Sequence, residues 1–426
     1  MYGISSRLRY CRHKELAIAC VCSDQKQATC GFDVFLDLVA NIFDSASREV
    51  SFGSPALRTS VKIKTIRRLS LVKRTRYSAL CAVALLAGTN WVYAQSSATL
   101  YGIVDDSLSY NSNSNGHSLW SLASQKRWPN MWGMTGTEDL GGGLSAVFRY
   151  ETGIQLNTGG SYTRQTWVGL SDKKYGVLTL GKQYDAAYGI VPFTTAIDNS
   201  TTAAHAGNYD RGTGLTLNNT IKYQSEPIAN TRAMLFYSFG SPDSGTTNTG
   251  RGVGGNLVYS NGPYNLYLSY QSINGTTINP ATDIGVHRMF GQNFSARSFL
   301  LDHSNVLGVG AMYRTQDLKV TATFTQTKMA FHNITETMSS YEVGGRYNVM
   351  PDVIVQGAYS YSTMDQYKWD VFAVSSAYLL SKRSQLFTTL VYQQTGGDGQ
   401  VAVLNGESPS TTNKQLVLRV GILHKF

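Results

Sequence analysis

The stretch "DAAYGIVPFTTAIDNSTTAAHAGNYDRGTGLT", residues 185–216, gathers Asp185, Asp198, His205, Asp210 and Arg211. Carboxylates around an imidazole could move protons, or they could present fixed charge to a passing solute. Proton transfer and nucleophilic catalysis need a base held beside the reacting group. The histidines beyond residue 94 are His117, His205, His287, His303, His332 and His424, and none falls in a motif that would hold it so. No H-E-x-x-H, C-x-x-C or G-x-S-x-G occurs. "GRGVGG" (Gly250 to Gly255) opens a strand pattern with no helix behind it, which makes a poor phosphate loop. No cysteine follows Cys81 and no close histidine pair offers a metal site. The sequence therefore assigns no catalytic residue, no cofactor and no metal, and excludes a recognisable enzyme. Fixed charge on a long loop is the chemistry that remains. Loops beyond ~12–15 residues are usually functional or disordered.

The elements that must hold this loop are read from the rest of the chain. Of 426 residues, the first 94 carry all five cysteines, Cys11, Cys20, Cys22, Cys30 and Cys81. They also hold 14 basic and 6 acidic groups of the chain's 37 and 27, which leaves 23 and 21 beyond. The basic excess belongs to the front segment, so it does not mark the remainder for nucleic acid. In "KRTRYSALCAVALLAGTNWVYA" (Lys73 to Ala94), Lys73, Arg74 and Arg76 form a basic start. Ala79 to Gly88 is an apolar core too short to span a bilayer, and Val92 and Ala94 sit at small-residue cleavage positions. Residues 72–94 are expected to be a signal peptide, with the mature chain running from 95 to 426. Residues 1–71 are expected to be a non-native extension, with translation starting at Val72.

From Gln95 onward, short runs rich in Tyr, Val, Thr, Leu and Phe alternate with clusters of Gly, Asn, Ser and Asp. Period-2 alternation predicts sixteen strands: 98–110, 128–138, 143–155, 162–172, 176–184, 217–226, 230–239, 250–261, 263–274, 306–314, 318–329, 339–349, 352–363, 367–380, 384–396 and 412–426. Most approach the ~9–11 residues of a tilted transmembrane strand. Connections alternate between short ones such as "DKKY", "NGP" and "MPD" and long ones at 111–127, 185–216, 274–305 and 397–411. One row of each strand is apolar with aromatics, as in Tyr264, Leu266, Leu268 and Tyr270, while the other is largely polar. A soluble sandwich does not sort its connections this way and has no use for such outward rows. The pattern predicts an all-β, closed antiparallel transmembrane barrel.

Five ordered motifs carry a resemblance: "SSATLYGIVDDSLSY" (Ser96 to Tyr110), "GTEDLGGGLSAVFRYETG" (Gly136 to Gly153), "RQTWVGLSDKKYGVLTLGKQYD" (Arg164 to Asp185), "NNTIKYQSEP" (Asn218 to Pro227) and "VGILHKF" (Val420 to Phe426). Together they span the chain after Gln95, which resembles the Gram-negative general porins. The resemblance implies a sixteen-stranded barrel and a homotrimer in the outer membrane, in contact with lipid and lipopolysaccharide. It also implies passive diffusion of small hydrophilic solutes and ions, and a third loop, 185–216, folded into the lumen. A substrate-specific channel, or an adhesin or receptor acting through the loops, is the alternative.

In that family, acidic loop residues face a basic wall. The resemblance places Asp185, Asp198, His205, Asp210 and Arg211 at the constriction, opposite Arg164 and Lys182. It also marks departures. Met131 and Thr135 stand where basic residues are usual, Thr216 precedes the "NNTIKY" strand where an arginine is expected, and Leu423 replaces an arginine in the last strand. Each missing charge about 8 Å from an ion in water is worth roughly 0.5 kcal/mol, so a pore less anion-selective than a fully basic-walled relative is expected. Arg419 and Lys425 are expected on the lumen wall. Phe426 is the residue that, by resemblance, the outer-membrane assembly machinery reads. Intact-mass or N-terminal sequencing of the purified protein tests the leader: the mature form should begin at Gln95, and an earlier start would refute the assignment.

Overall fold

The computed structural model describes residues 96–194, 200–241, 249–294 and 297–426. The expected extension and signal peptide lie outside them, as does Asp198. Sixteen long strands build the wall. In chain order they are β1 (Ser97–Ser114), β2 (Met131–Gly141), β3 (Leu144–Ile154), β4 (Ser161–Asp172), β5 (Gly176–Tyr184), β6 (Thr216–Gln224), β7 (Thr231–Phe239) and β8 (Arg251–Asn261). They continue as β9 (Tyr264–Asn274), β10 (His303–Arg314), β11 (Leu318–Phe331), β12 (Ile334–Met350), β13 (Val353–Met364), β14 (Tyr367–Leu379), β15 (Ser384–Gly396) and β16 (Lys414–Lys425). Each pairs antiparallel with the next, and β16 returns to β1 with Ile103 opposite Lys425 and Asn111 opposite Val417. The sheet is closed, so it has no free edge in hydrocarbon.

The alternation is observed directly. On β9, Tyr264, Leu266, Leu268 and Tyr270 are exposed while Tyr267, Ser269 and Gln271 are buried. On β16, Val420, Ile422 and His424 face outward, and Gln415, Val417, Arg419 and Leu423 are buried inside. All sixteen expected strands occur, with ends that shift by a few residues. The 128–138 strand starts at Met131 because the residues before it leave the wall.

The expected loop 111–127 contains a further strand, His117–Leu122, which pairs back on β1. Asn115 and Gly116 both take positive φ, 53° and 98°, and form its two-residue turn. Asn-Gly is the turn-forming pair that suits this geometry. Two connections at the long-loop end are short: residues 332–333 and 365–366 join β11 to β12 and β13 to β14.

Inside, not every lumen-facing row is polar as expected. β14 turns Tyr367, Trp369, Val371, Ala373 and Ala377 inward. These side chains are covered by loops that fill the barrel, so this part of the lumen is a packed core rather than a wet wall.

The last residue is held by the first strand. Phe426 N donates to Gly102 O and Gly102 N donates to Phe426 O, both at 3.0 Å. A Cβ at Gly102 would stand 2.2 Å from the Phe426 ring, so the ring lies in the slot that glycine leaves open. Gly102→Val should expel the ring and disturb two hydrogen bonds worth about 1 kcal/mol each. Deletion of Phe426 should act in the same direction. The expected outcome is a several-fold fall in assembled, heat-resistant barrel on gels. Normal assembly of both variants would refute this role.

Candidate functional site

The described parts of the 185–215 loop, residues 185–194 and 200–215, lie in the barrel interior, and Asp185, His205, Asp210 and Arg211 fasten them there. At its start, the Asp185 carboxylate accepts from Arg211 Nε, from Gln271 Nε2 of β9 at 3.2 Å and from Tyr188 N at 3.3 Å. Ala186 O accepts from Asn256 Nδ2 of β8 and from Tyr267 OH of β9, at 3.0 and 2.5 Å. Ile190 and Phe193 pack on Tyr267. Farther along, His205 Nδ1 lies 2.5 Å from Asp210 Oδ2 and Nε2 lies 3.1 Å from Glu342 Oε2 of β12. Thr325 of β11 donates to Asp210 at 2.7 Å. Ala203 packs on Val371, Ala373, Val391 and Val417 of β14, β15 and β16.

One carboxylate joins three loops. Glu407, in the last loop, accepts from Lys126 Nζ of the first loop at 3.0 Å and from Arg419 NH2 at 2.5 Å. Arg419 NH1 donates to Thr202 of the crossing loop at 2.8 Å. Asn405 of the last loop donates to Thr201 O, and Ser200 Oγ donates to Lys126 O.

The expected charge layout is thereby corrected in several places. Asp185, His205, Asp210 and Arg211 are buried and consumed in pairs, so they rivet the loop rather than line a passage. Lys182 is off the lumen: Gly181 pairs with Trp167, which faces in, so Lys182 and its partner Thr166 fall on the outward row with exposed Tyr150. Thr216 lines a recess at the loop end with Arg211, away from the basic wall. Thr135 is on the lumen row as the partner of Arg149, and Met131 borders the open space. Arg419 is buried in the lumen, and Lys425 Nζ stands 5.6 Å from the Trp128 ring centre.

That open space is a cavity of about 610 Å³ along β1–β7, beside the first turn of the crossing loop. Its cations are Arg149, Arg164, Lys222 and Arg232, and its carboxylates are Glu151 and Glu226. Arg164 donates to Glu151 at 2.7 Å and to Tyr184 OH. Arg149, Lys222 and Arg232 escaped the sequence reading, which followed motif positions and did not follow row parity. Arg149 alternates with exposed Phe148 and Tyr150, which already puts it inside.

A second inward segment closes one side. Residues 123–130 leave the wall, and Asn130 fills the gap: its Oδ1 accepts from Asp105 N and its Nδ2 donates to Asp105 O. Arg127 is buried over the Phe387 ring, 4.9 Å from its centre. Trp128 and Met131 pack on Ile103, Ile354, Phe387 and Leu423. Two positions that departed from the basic pattern, Met131 and Leu423, thus meet in one apolar patch around an inserted tryptophan.

A family model described as Gram-negative porin matches residues 79–398. The chain is 31% identical over 238 residues to an outer membrane porin protein of Bordetella pertussis, covering 46% of this chain and 60% of that one. It is 35% identical over 208 residues to outer membrane porin protein 32 of Delftia acidovorans, covering 44% and 58%. The matches span less than two thirds of these relatives' lengths. Among solved structures, an anion-selective porin from Comamonas acidovorans superposes with TM-score 0.66 at 23% identity, over 78% of this chain and 100% of that one. OmpT of Vibrio cholerae superposes with TM-score 0.58 at 11% identity, over 78% and 98%.

The His205 cluster sets a pH window. Burial opposes the imidazolium, but Asp210 and then Glu342 outweigh it, and the His205 pKa is pushed from 6.5 up to about 10. Burial likewise opposes the Asp210 carboxylate, yet His205, Thr325 and Gly212 N hold it below its ordinary 3.8. The stabilisation from His205 is complete below pH 6.5 and is lost as pH rises through about 10. That from Asp210 is complete above 3.8 and is lost as pH falls through its lower folded value. Thermal midpoints in detergent should therefore plateau between about pH 4 and 6.5 and decline toward pH 10. His205→Ala should lose about 3–5 kcal/mol at the plateau, since it leaves the Asp210 carboxylate buried without its cation. A wild-type profile that stays flat from pH 6.5 to 10 would contradict the latch.

Proposed function

This chain belongs to the Gram-negative porin family of the outer membrane, and from that premise we propose that it is a water-filled channel for passive diffusion of small hydrophilic solutes and ions. The observation that carries this reading is the cavity left between the crossing loop and the β1–β7 wall, with four cations against two carboxylates. Glu151 is already bound to Arg164, which leaves Arg149, Lys222 and Arg232 to set the field. The uncharged Met131, Thr135 and Leu423 weaken a wall that these three keep positive. A net excess of two charges at about 8 Å in water is worth roughly 1 kcal/mol, or about fivefold in ion occupancy before salt screening. The channel prefers anions moderately. The solved relative described as anion-selective, with the same fold, supports that direction.

The working unit is proposed to be a homotrimer in outer-membrane lipid and lipopolysaccharide. A solved relative in trimer form supports this. The assembly machinery is proposed to take hold of the terminal strand through Phe426.

Reversal potentials across a planar bilayer in a KCl gradient test the charge reading. Wild type should favour chloride about fivefold or less, and Arg149→Ala should lower that ratio by about twofold. Cation preference in the wild type would refute it. Current that closes in three equal steps would support the trimer.

A further inference from the structure

The cavity has two unlike ends. At one end stand Met131 and Trp128, the latter with the Lys425 ammonium 5.6 Å from its ring centre, both backed by the apolar patch at Ile103 and Leu423. Register puts Met131, Ile103 and Lys425 on one rung of the wall. Four residues down β2, Thr135 pairs with Arg149, about 13 Å away at the rise of a strand.

The cationic end is built to receive rather than to be satisfied internally. The Arg149 guanidinium lies against two rings, 5.9 Å from the centre of Tyr101 and 5.7 Å from that of Trp167. Its buried Nε has no hydrogen-bond partner among the described residues. Lys222 Nζ donates to the main-chain carbonyl of Tyr184. Arg164, by contrast, already holds Glu151. A guanidinium held against ring faces spends no hydrogen-bond donor on them, and its fork of N–H groups matches a carboxylate.

An inorganic anion would gain nothing from the faces of Trp128 and Met131 that line the cavity beyond their packing on Ile103 and Leu423. A solute with a carboxylate at Arg149 and a flat apolar body toward Trp128 uses both ends. Tyr101, beside the guanidinium, pairs with Gly133, two residues nearer Met131, so the remaining distance suits a one-ring acid. We propose that the cavity is a binding subsite for aromatic monocarboxylates, which makes the channel selective within the anions it admits. This rests on the channel reading above.

The test uses purified full-length protein carrying KCl current in a planar bilayer. Benzoate, acetate and benzyl alcohol are added separately, and the concentration that halves the current is read. Benzoate should act at a concentration at least tenfold lower than acetate, and benzyl alcohol should act no better than acetate. Trp128→Ala should raise the benzoate value at least fivefold while moving the acetate value less than twofold. Met131→Ala is a second variant with the same expected direction. Equal values for benzoate and acetate in the wild type, or variants that shift both alike, would overturn the subsite and leave the channel standing. Absence of any KCl current would overturn the channel reading and the subsite with it.

Discussion

The fold rests on the pairing of β16 with β1. In hydrocarbon an unpaired backbone amide or carbonyl is expensive, and a sheet with two open edges would have two rows of them. Closing the sheet removes both rows at once and encloses a lumen as a by-product. Everything functional in this protein is a way of using or filling that enclosed space. The outward rows satisfy lipid with Leu, Val and aromatic side chains, and the inward rows are freed to meet either water or folded-in loops.

In this barrel most of the interior meets loops. The crossing loop runs from the β8–β9 wall to β14–β16, and the segment at residues 278–301 adds Ile284, Phe290 and Leu301 to a cluster with Trp369 and Met329. The barrel therefore has a core of ordinary character over part of its cross-section, and a polar cavity is left along β1–β7. Charge is divided the same way. On the packed side, Asp185 with Arg211, and His205 with Asp210 and Glu342, are buried and matched, which is the condition under which buried ions are tolerable. On the open side, Arg149 has no such carboxylate partner among the described residues, and Lys222 donates to the Tyr184 carbonyl with Asp185, already held by Arg211, as the carboxylate acting on it. Position relative to the loop, not residue type, decides whether a charge holds the structure or acts on a solute.

This division explains what could and could not be read from sequence. The sixteen strands were legible because period-2 alternation between lipid and lumen is a strong local signal. The inward folding of residues 185–216 was legible from its length and resemblance. The fate of its charges was not, because Asp185 finds Arg211 by a loop closure and His205 finds Glu342 across 137 positions, which no local pattern encodes. Lys182 was misplaced for a different reason: the motif suggested a role, and the parity of its own strand, with Gly181 inward, argued against it. Arg149 was the converse, legible by parity and absent from the motif. The inserted Trp128 left only an indirect trace, the loss of charge at Met131 and Leu423, which reads as a deficit until the tryptophan between them is seen.

Glu407 gives the loops a property that none has alone. It touches Lys126 of the first loop and Arg419, and Arg419 in turn holds Thr202 of the third. Three segments far apart in sequence thus share one fastening. A segment released from it leaves a buried cation short of its partner, which weakens the hold on the other two. Release of one of the three loops should consequently favour release of the others, so the loop end of the barrel should pass between few arrangements instead of a continuum produced by loops that move one by one.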